Sequence, residues 1–151
     1  MRIFAIDPGN IESAYCLLDD YKPIDKGKIS NEDLLEIIKN EKYDLIVLEM
    51  IASYGMAVGK SVFETCVWIG RFIEKRNCKD FEYIYRKEEK INLCNSMKAK
   101  DGNIRQALID RFGIVGTKKN QGFFYGFSKD MWSAYAVGCT YLDKRRENEK
   151  N

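Results

Sequence analysis

The sequence contains no histidine. That excludes Ser-His-Asp triads, a histidine general base, His-containing zinc sites and histidine-ligated haem. Hydrolytic chemistry in this chain must run on carboxylates with a metal, or on Lys, Ser, Tyr or Cys. Proline is scarce, at 2 of 151 residues. No apolar run approaches the roughly 18 residues of a membrane span, and the opening MRIFAIDPGN meets an acid and a proline too early for a signal peptide. The cysteines, at 16, 66, 78, 94 and 139, include no C-x-x-C pair and no zinc-like spacing. They are expected to be reduced, small core residues of a cytoplasmic protein.

What is present is an ordinary folding composition, 45% hydrophobic and 32% charged. It suits one domain over residues 1–143, followed by a charged tail over 144–151. The net charge of +2 conceals an asymmetry. Residues 1–50 hold 6 Lys/Arg against 11 Asp/Glu, whereas residues 86–119 hold 9 Lys/Arg against 4 Asp/Glu. An acidic region beside a basic one fits a metal site next to a phosphate-binding surface, and equally two solvated faces of different composition.

Arg2-Ile3-Phe4-Ala5-Ile6 is a short apolar run stopped by Asp7-Pro8-Gly9, which predicts a buried strand and a turn. Ser13 to Leu18 and residues 24–29 predict two further strands in an antiparallel meander. Asn31 is read as the cap of a helix to Asn40. Asp44-Leu45-Ile46-Val47-Leu48 predicts a central strand buried on both faces and ending at Glu49. Then follow a helix over 57–76, a strand from Phe81 to Tyr85, short helices over 87–95 and 101–112, an aromatic loop over 116–126 and a last helix from Ser128 to Asp143. This order resembles the ribonuclease-H-like topology, an α/β fold with a mixed five-stranded sheet (an antiparallel three-strand meander plus parallel strands) flanked by helices.

Asp7 and Glu49 each terminate a buried strand. If those strands are parallel neighbours, both carboxylates emerge at the carboxyl edge of the sheet. Asp130, in the first turn of the last helix, can reach the same edge. Three carboxylates so placed suit hard divalent cations, Mg²⁺ or Mn²⁺, which activate water for phosphodiester hydrolysis without histidine. Each acid also has a plain structural role, as turn starter, strand-end residue and helix-dipole partner.

Ile6-Asp7-Pro8-Gly9 followed by Ser13-Ala14-Tyr15 resembles the I-D-P-G-x-x-x-T-G-Y opening of RuvC-type Holliday junction resolvases. Ile46-Val47-Leu48-Glu49 resembles their second acidic strand, and Asp130-Met131-Trp132-Ser133-Ala134-Tyr135-Ala136 their D-A-A-D-A-L-A segment. In appearance the chain is similar to the small RuvC-like proteins of phages and Gram-positive bacteria. The resemblance implies a homodimeric, Mg²⁺- or Mn²⁺-dependent endonuclease acting on four-way and related branched DNA in the cytoplasm of a bacterial or phage-infected cell. Its catalytic and metal-holding residues would be Asp7, Glu49 and Asp130. Where the family's last motif has a second acid, this chain has Ser133, a poorer ligand that shares the helical face of Asp130. Glu64 is the alternative candidate for the fourth ligand. A junction-binding protein without cleavage and a nuclease for another nucleic acid are the rival readings.

Lys98 and Lys100 precede a helix start whose amides would complete a phosphate site, with Arg105 on that helix. Lys118 and Lys119 belong to a loop that interleaves bases with Phe123, Phe124 and Phe127, aromatics that either stack on DNA bases or pin the loop to the core. Tyr54, in the loop after Glu49, resembles the family's junction-opening aromatic. On the helix over 57–76, Val62, Cys66, Ile69 and Ile73 form the expected core stripe. That leaves Trp68 and Phe72 outside it as the expected dimer interface.

Overall fold

The structure is a computed structural model that describes residues 1–77 and 79–151; Cys78 and the expectation for its thiol lie outside the described residues. Strands β1 (Arg2–Asp7), β2 (Glu12–Asp19) and β3 (Lys22–Ser30) form the meander. After α1 (Asn31–Asn40), strand β4 (Leu45–Met50) enters parallel to β1, and β5 (Phe81–Tyr85) pairs parallel to β4 after α2 (Lys60–Lys75). The strand order is β3-β2-β1-β4-β5. Helices α3 (Arg86–Cys94), α4 (Asp101–Phe112) and α5 (Met131–Glu149) complete the chain. This is the ribonuclease-H-like architecture expected from the element order.

Alternation along the strands divides the core in two. Ile3 and Ala5 of β1, Leu45 and Val47 of β4 and Ile84 of β5 face α5, α4 and α3. Phe4, Ile6, Ile46 and Leu48 face α1 and α2. Close approach of α5 depends on Gly138, where a Cβ would lie 2.9 Å from the Leu18 side chain and 3.2 Å from Ala5. Buried Cys16 and Cys139 fill the α5 side as small apolar residues, and the thiols at 66 and 94 are half-buried and free.

Four local expectations are revised. Ser30, not Asn31, caps α1 by accepting the Asp33 N–H, and Asn31 is buried. Helix α5 begins at Met131 with Asp130 as its cap residue, and it runs on to Glu149 through most of the stretch expected as a tail. There Lys144 pairs with Glu88, and Arg145 with Glu149 at 3.1 Å. The core stripe of α2 is Thr65, Ile69, Phe72 and Ile73. Phe72 is 0% exposed and packs on the α1 side of the sheet, so it is a core residue and not an interface residue. Apolar residues surround most of α2, and the helix's phase is set by α1 packing against it rather than by the pattern alone. Trp68 is half-buried at the margin, tilted on Phe72 and stacked by Arg71, whose guanidinium carbon lies 4.1 Å from the ring centre. The exposed apolar residues of α2 are instead Phe63 (61% exposed) and Val67 (63%).

Candidate active site

Parallel pairing of β1 with β4 aligns Ile6 with Leu48, so Asp7 and Glu49 leave adjacent strands at the same edge. The two-residue period puts Asp7 on the face of Ile3 and Ala5, and Glu49 on the face of Leu45 and Val47. Both therefore point toward α5, whose cap residue is Asp130. Asp7, Asp130 and Lys28 line one cleft of about 410 Å³ together with the Pro8-Gly9 turn.

That turn is held by a buried polar network. Gly9 donates its N–H to Ser13 Oγ at 3.0 Å, Ser13 Oγ donates to Asn31 Oδ1 at 2.6 Å, and Asn31 Nδ2 donates to the Gly9 carbonyl at 2.9 Å. A Cβ at Gly9 would sit 2.2 Å from the Glu12 carbonyl oxygen, so only glycine closes the turn. The Asp-Pro-Gly motif thus fixes the backbone directly after Asp7, and the polar Ser13 and Asn31 exist in the core for that purpose.

The electrostatics of the edge are those of crowded, desolvated carboxylates. Burial, with the charges of Glu49 and Asp130 added, pushes the Asp7 carboxyl up to about 7 despite Arg86 and Lys28 nearby. Burial also raises Glu49, against the opposing pull of a hydrogen bond with Glu89 and of Arg86. Lys28 Nζ donates to Asp130 Oδ2 at 2.7 Å, and that bond raises the lysine's own pKa. Among the described residues no three Asp, Glu or Cys side chains converge tightly enough to form a closed metal cage. Asp130 is turned to Lys28, which supplies the cationic charge opposite it. The donor set nevertheless fits a hard divalent ion: oxygen only, net negative, partly desolvated, with Glu49 Oε2 buried and lacking any hydrogen-bond donor.

Sequence reasoning missed Glu89. Register explains its position: Met50 pairs with Tyr85, so α3 begins beside the end of β4, and Glu89 lies one turn into it. Glu89 is 0% exposed. Burial and then the Glu49 charge raise its carboxyl well above the usual range. Its Oε1 accepts from Arg86 at 3.2 Å, and Arg86 also pairs with Asp101 at the start of α4. The signal available in the sequence was the Arg86/Glu89 spacing, one helical turn, immediately after a strand neighbouring Glu49. Glu64 is half-buried on α2, and no hydrogen bond or ion pair joins it to Asp7, Glu49 or Asp130 among the described residues.

On the other side of Asp130 a second cleft, about 150 Å³, is lined by Arg86, Arg105, Lys129, Asp130 and Ser133. Arg105 and Ser133 therefore share a cleft with Asp130, joined by Arg86 and Lys129. Lys100 is the exposed cap residue of α4 and Lys98 lies two residues before it, also exposed. Lys118 and Lys119 are exposed at the tip of a loop closed by the Gly116–Gln121 bridge. Phe124 and Phe127 are buried against Trp132 and Tyr135, and Phe123 stacks on Phe112, so these aromatics pin the loop to the core. Tyr54 is 67% exposed in the loop after β4.

No family profile matches this sequence, and no curated protein matches it either. Solved structures do. The chain superposes on a Thermus thermophilus RuvC structure with a TM-score of 0.75 at 11% identity, covering 98% of this chain and 97% of that one. It superposes on T. thermophilus RuvC in complex with Holliday junction substrate with a TM-score of 0.71 at 10% identity, over 98% and 96%. Identity this low speaks for architecture and not for activity. The chain has the RuvC-type, ribonuclease-H-like fold over essentially its whole length.

Proposed function

We propose that this protein is a divalent-metal-dependent endonuclease that cuts four-way and related branched DNA. The observation that carries the reading is the convergence of Asp7 and Glu49 from parallel neighbouring strands on the cap residue of α5, next to a cleft lined by Arg86, Arg105 and Lys129. Asp7, Glu49 and Asp130 would hold Mg²⁺ or Mn²⁺. When bound there, such ions activate water and neutralise charge on a phosphodiester. Arg86, Arg105 and Lys129 are placed to bind and orient the backbone phosphate, and Lys98, Lys100, Lys118 and Lys119 to extend the contact along the strand. Lys28, bonded to Asp130, would yield that carboxylate to a bound cation. Tyr54, exposed beside the Glu49 strand end, is the proposed contact with the junction centre.

A four-way junction has two-fold symmetry, which a two-fold dimer matches with two active sites. We assign the dimer surface to Phe63 and Val67 with Trp68 at its margin, replacing the expectation for Phe72. Phe63→Glu is expected to shift the protein toward monomer in sedimentation with its melting temperature little changed. Phe72→Ala should instead cost roughly 3–5 kcal/mol of stability, as a large core truncation does. The reverse pattern would remove this surface.

The direct test incubates labelled four-way junction, fork and linear duplex with the protein in Mg²⁺ and in EDTA. Metal-dependent cutting of the junction in preference to duplex is expected. Equal cutting of all three would favour a general nuclease. Tight junction binding without cutting in either Mg²⁺ or Mn²⁺ would favour the pure binding protein.

A further inference from the structure

The geometry points to Glu89 as the fourth carboxylate of the metal site, supplied from α3 in place of the acid that Ser133 lacks on α5. This assignment rests on the nuclease reading and names a ligand that reading does not contain.

Glu89 is a fully buried acid, an unusual place for a glutamate unless it is paired or holds a metal. Its pairing is half complete. Oε1 accepts from Arg86, whereas Oε2 is buried with no hydrogen-bond donor. Glu49 Oε2 is buried and orphaned in the same way. Glu89 lies one turn into α3, which starts from Tyr85 beside the Glu49 end of β4, and the two carboxyls interact with each other while the Asp7 charge acts on Glu89 as well. Among the described residues no lysine, arginine, amide or hydroxyl donor reaches either oxygen, and without a metal only a proton held between the two carboxyls can satisfy them. An anchoring role toward Arg86 explains Oε1 alone, and a neutral glutamine amide oxygen would serve it as well.

A divalent cation explains both oxygens. Two buried, interacting carboxylates beside a third are stable as ions only around positive charge. Ser133 offers a neutral hydroxyl, and it faces the cleft of Arg86, Arg105 and Lys129 on the far side of Asp130. The negative charge missing from α5 is therefore present on α3. It lies next to Glu49, because β5 delivers the chain there.

The test is Mn²⁺ binding by the full chain, measured by titration calorimetry and by the Mn²⁺-induced shift in melting temperature, alongside junction cleavage. Wild type, Glu89→Gln, Glu89→Asp, Glu64→Gln and the double variant Glu89→Gln/Ser133→Asp are compared. Glu89→Gln is expected to melt no lower than wild type without metal and to bind Mn²⁺ at least about tenfold more weakly, as loss of a charged ligand entails. Glu89→Asp, which keeps the charge, should fall between them. Glu64→Gln should match wild type, and the double variant should recover part of the affinity. Mn²⁺ affinity in both Glu89 variants within twofold of wild type would overturn the assignment and leave Glu89 as an anchor for Arg86. Should Glu89→Gln not fold, Glu89→Asp alone decides between the two. Wild type that binds no Mn²⁺ overturns this inference and the nuclease reading together. Wild type that binds Mn²⁺ through Glu89 yet cuts no DNA overturns the nuclease reading alone.

Discussion

Asp7→Asn is expected to lower junction cleavage on the order of a thousandfold, since losing a central metal-holding carboxylate withdraws several kcal/mol of transition-state charge stabilisation. Junction affinity should stay within a few-fold of wild type. The two effects separate because they come from different residues. Asp7 sits at the end of β1 among Glu49, Asp130 and Lys28, where its proposed role is confined to the reacting phosphate. Affinity comes from many phosphate contacts, and the exposed lysines and arginines that would make them lie on α4, the loop over 117–120 and the cleft beyond Asp130. Removing one negative charge from that neighbourhood, if anything, favours DNA. Asparagine preserves the shape of the side chain, and the turn behind it is fixed by Gly9, Ser13 and Asn31 rather than by the carboxylate. Cleavage rates with Mg²⁺, set beside anisotropy titrations in EDTA, measure both quantities. Cleavage by Asp7→Asn near the wild-type rate would remove Asp7 from the active site.

The features of the sequence that proved informative were those with short-range physical causes. Apolar runs ended by Asp7 and Glu49 identified two buried strands, and their parallel pairing is what brings the acids to one edge. Alternation within each run already contained which face the acids share. Glu89 was harder to see because it lies among Arg86, Lys87 and Lys90, in a stretch whose composition reads as solvated surface. Its burial comes from the packing of α3 against α4, α5 and β5, which no local pattern encodes. Phe72 misled for a related reason. A helix apolar around most of its circumference has no unique core stripe, and small errors in phase exchange Phe72 for Cys66. Asn31 looked like a helix cap because caps and buried turn-binding asparagines use the same side-chain chemistry. Its partner Gly9 lies 22 residues away in the chain.

In the absence of divalent metal, the folded protein is expected to lose stability as pH rises from about 4 to about 7. The ordinary carboxyl value of Asp7 is 3.8, and burial with Glu49 and Asp130 lifts it to about 7 in the folded state. Across that interval the folded chain holds a proton that the unfolded chain has released, so each step up in pH favours unfolding. Glu49 and Glu89 act in the same direction, because burial raises both. Asp143 opposes them at lower pH. Burial alone would raise its carboxyl, but hydrogen bonds from Arg111, Asn92 and Tyr21 hold it below its ordinary value, and its contribution is lost only on acidification below that range. Divalent metal should reverse the slope at the acid cluster, since the ion binds ionised carboxylates and so adds most stability where protons leave. Asp7→Asn removes one of these raised carboxyls. At about pH 8 without metal it should gain roughly 1–3 kcal/mol, several degrees in Tm, the value implied by the pKa shift after allowance for partial solvent screening. Thermal melts between about pH 4 and pH 8, in EDTA and in Mn²⁺, give both slopes for wild type and variant. A metal-free melting temperature that rises steadily toward pH 8, or one that Asp7→Asn leaves unchanged there, would mean that these carboxylates are better solvated than the fold places them, and the crowded-acid description of the site would fall with it.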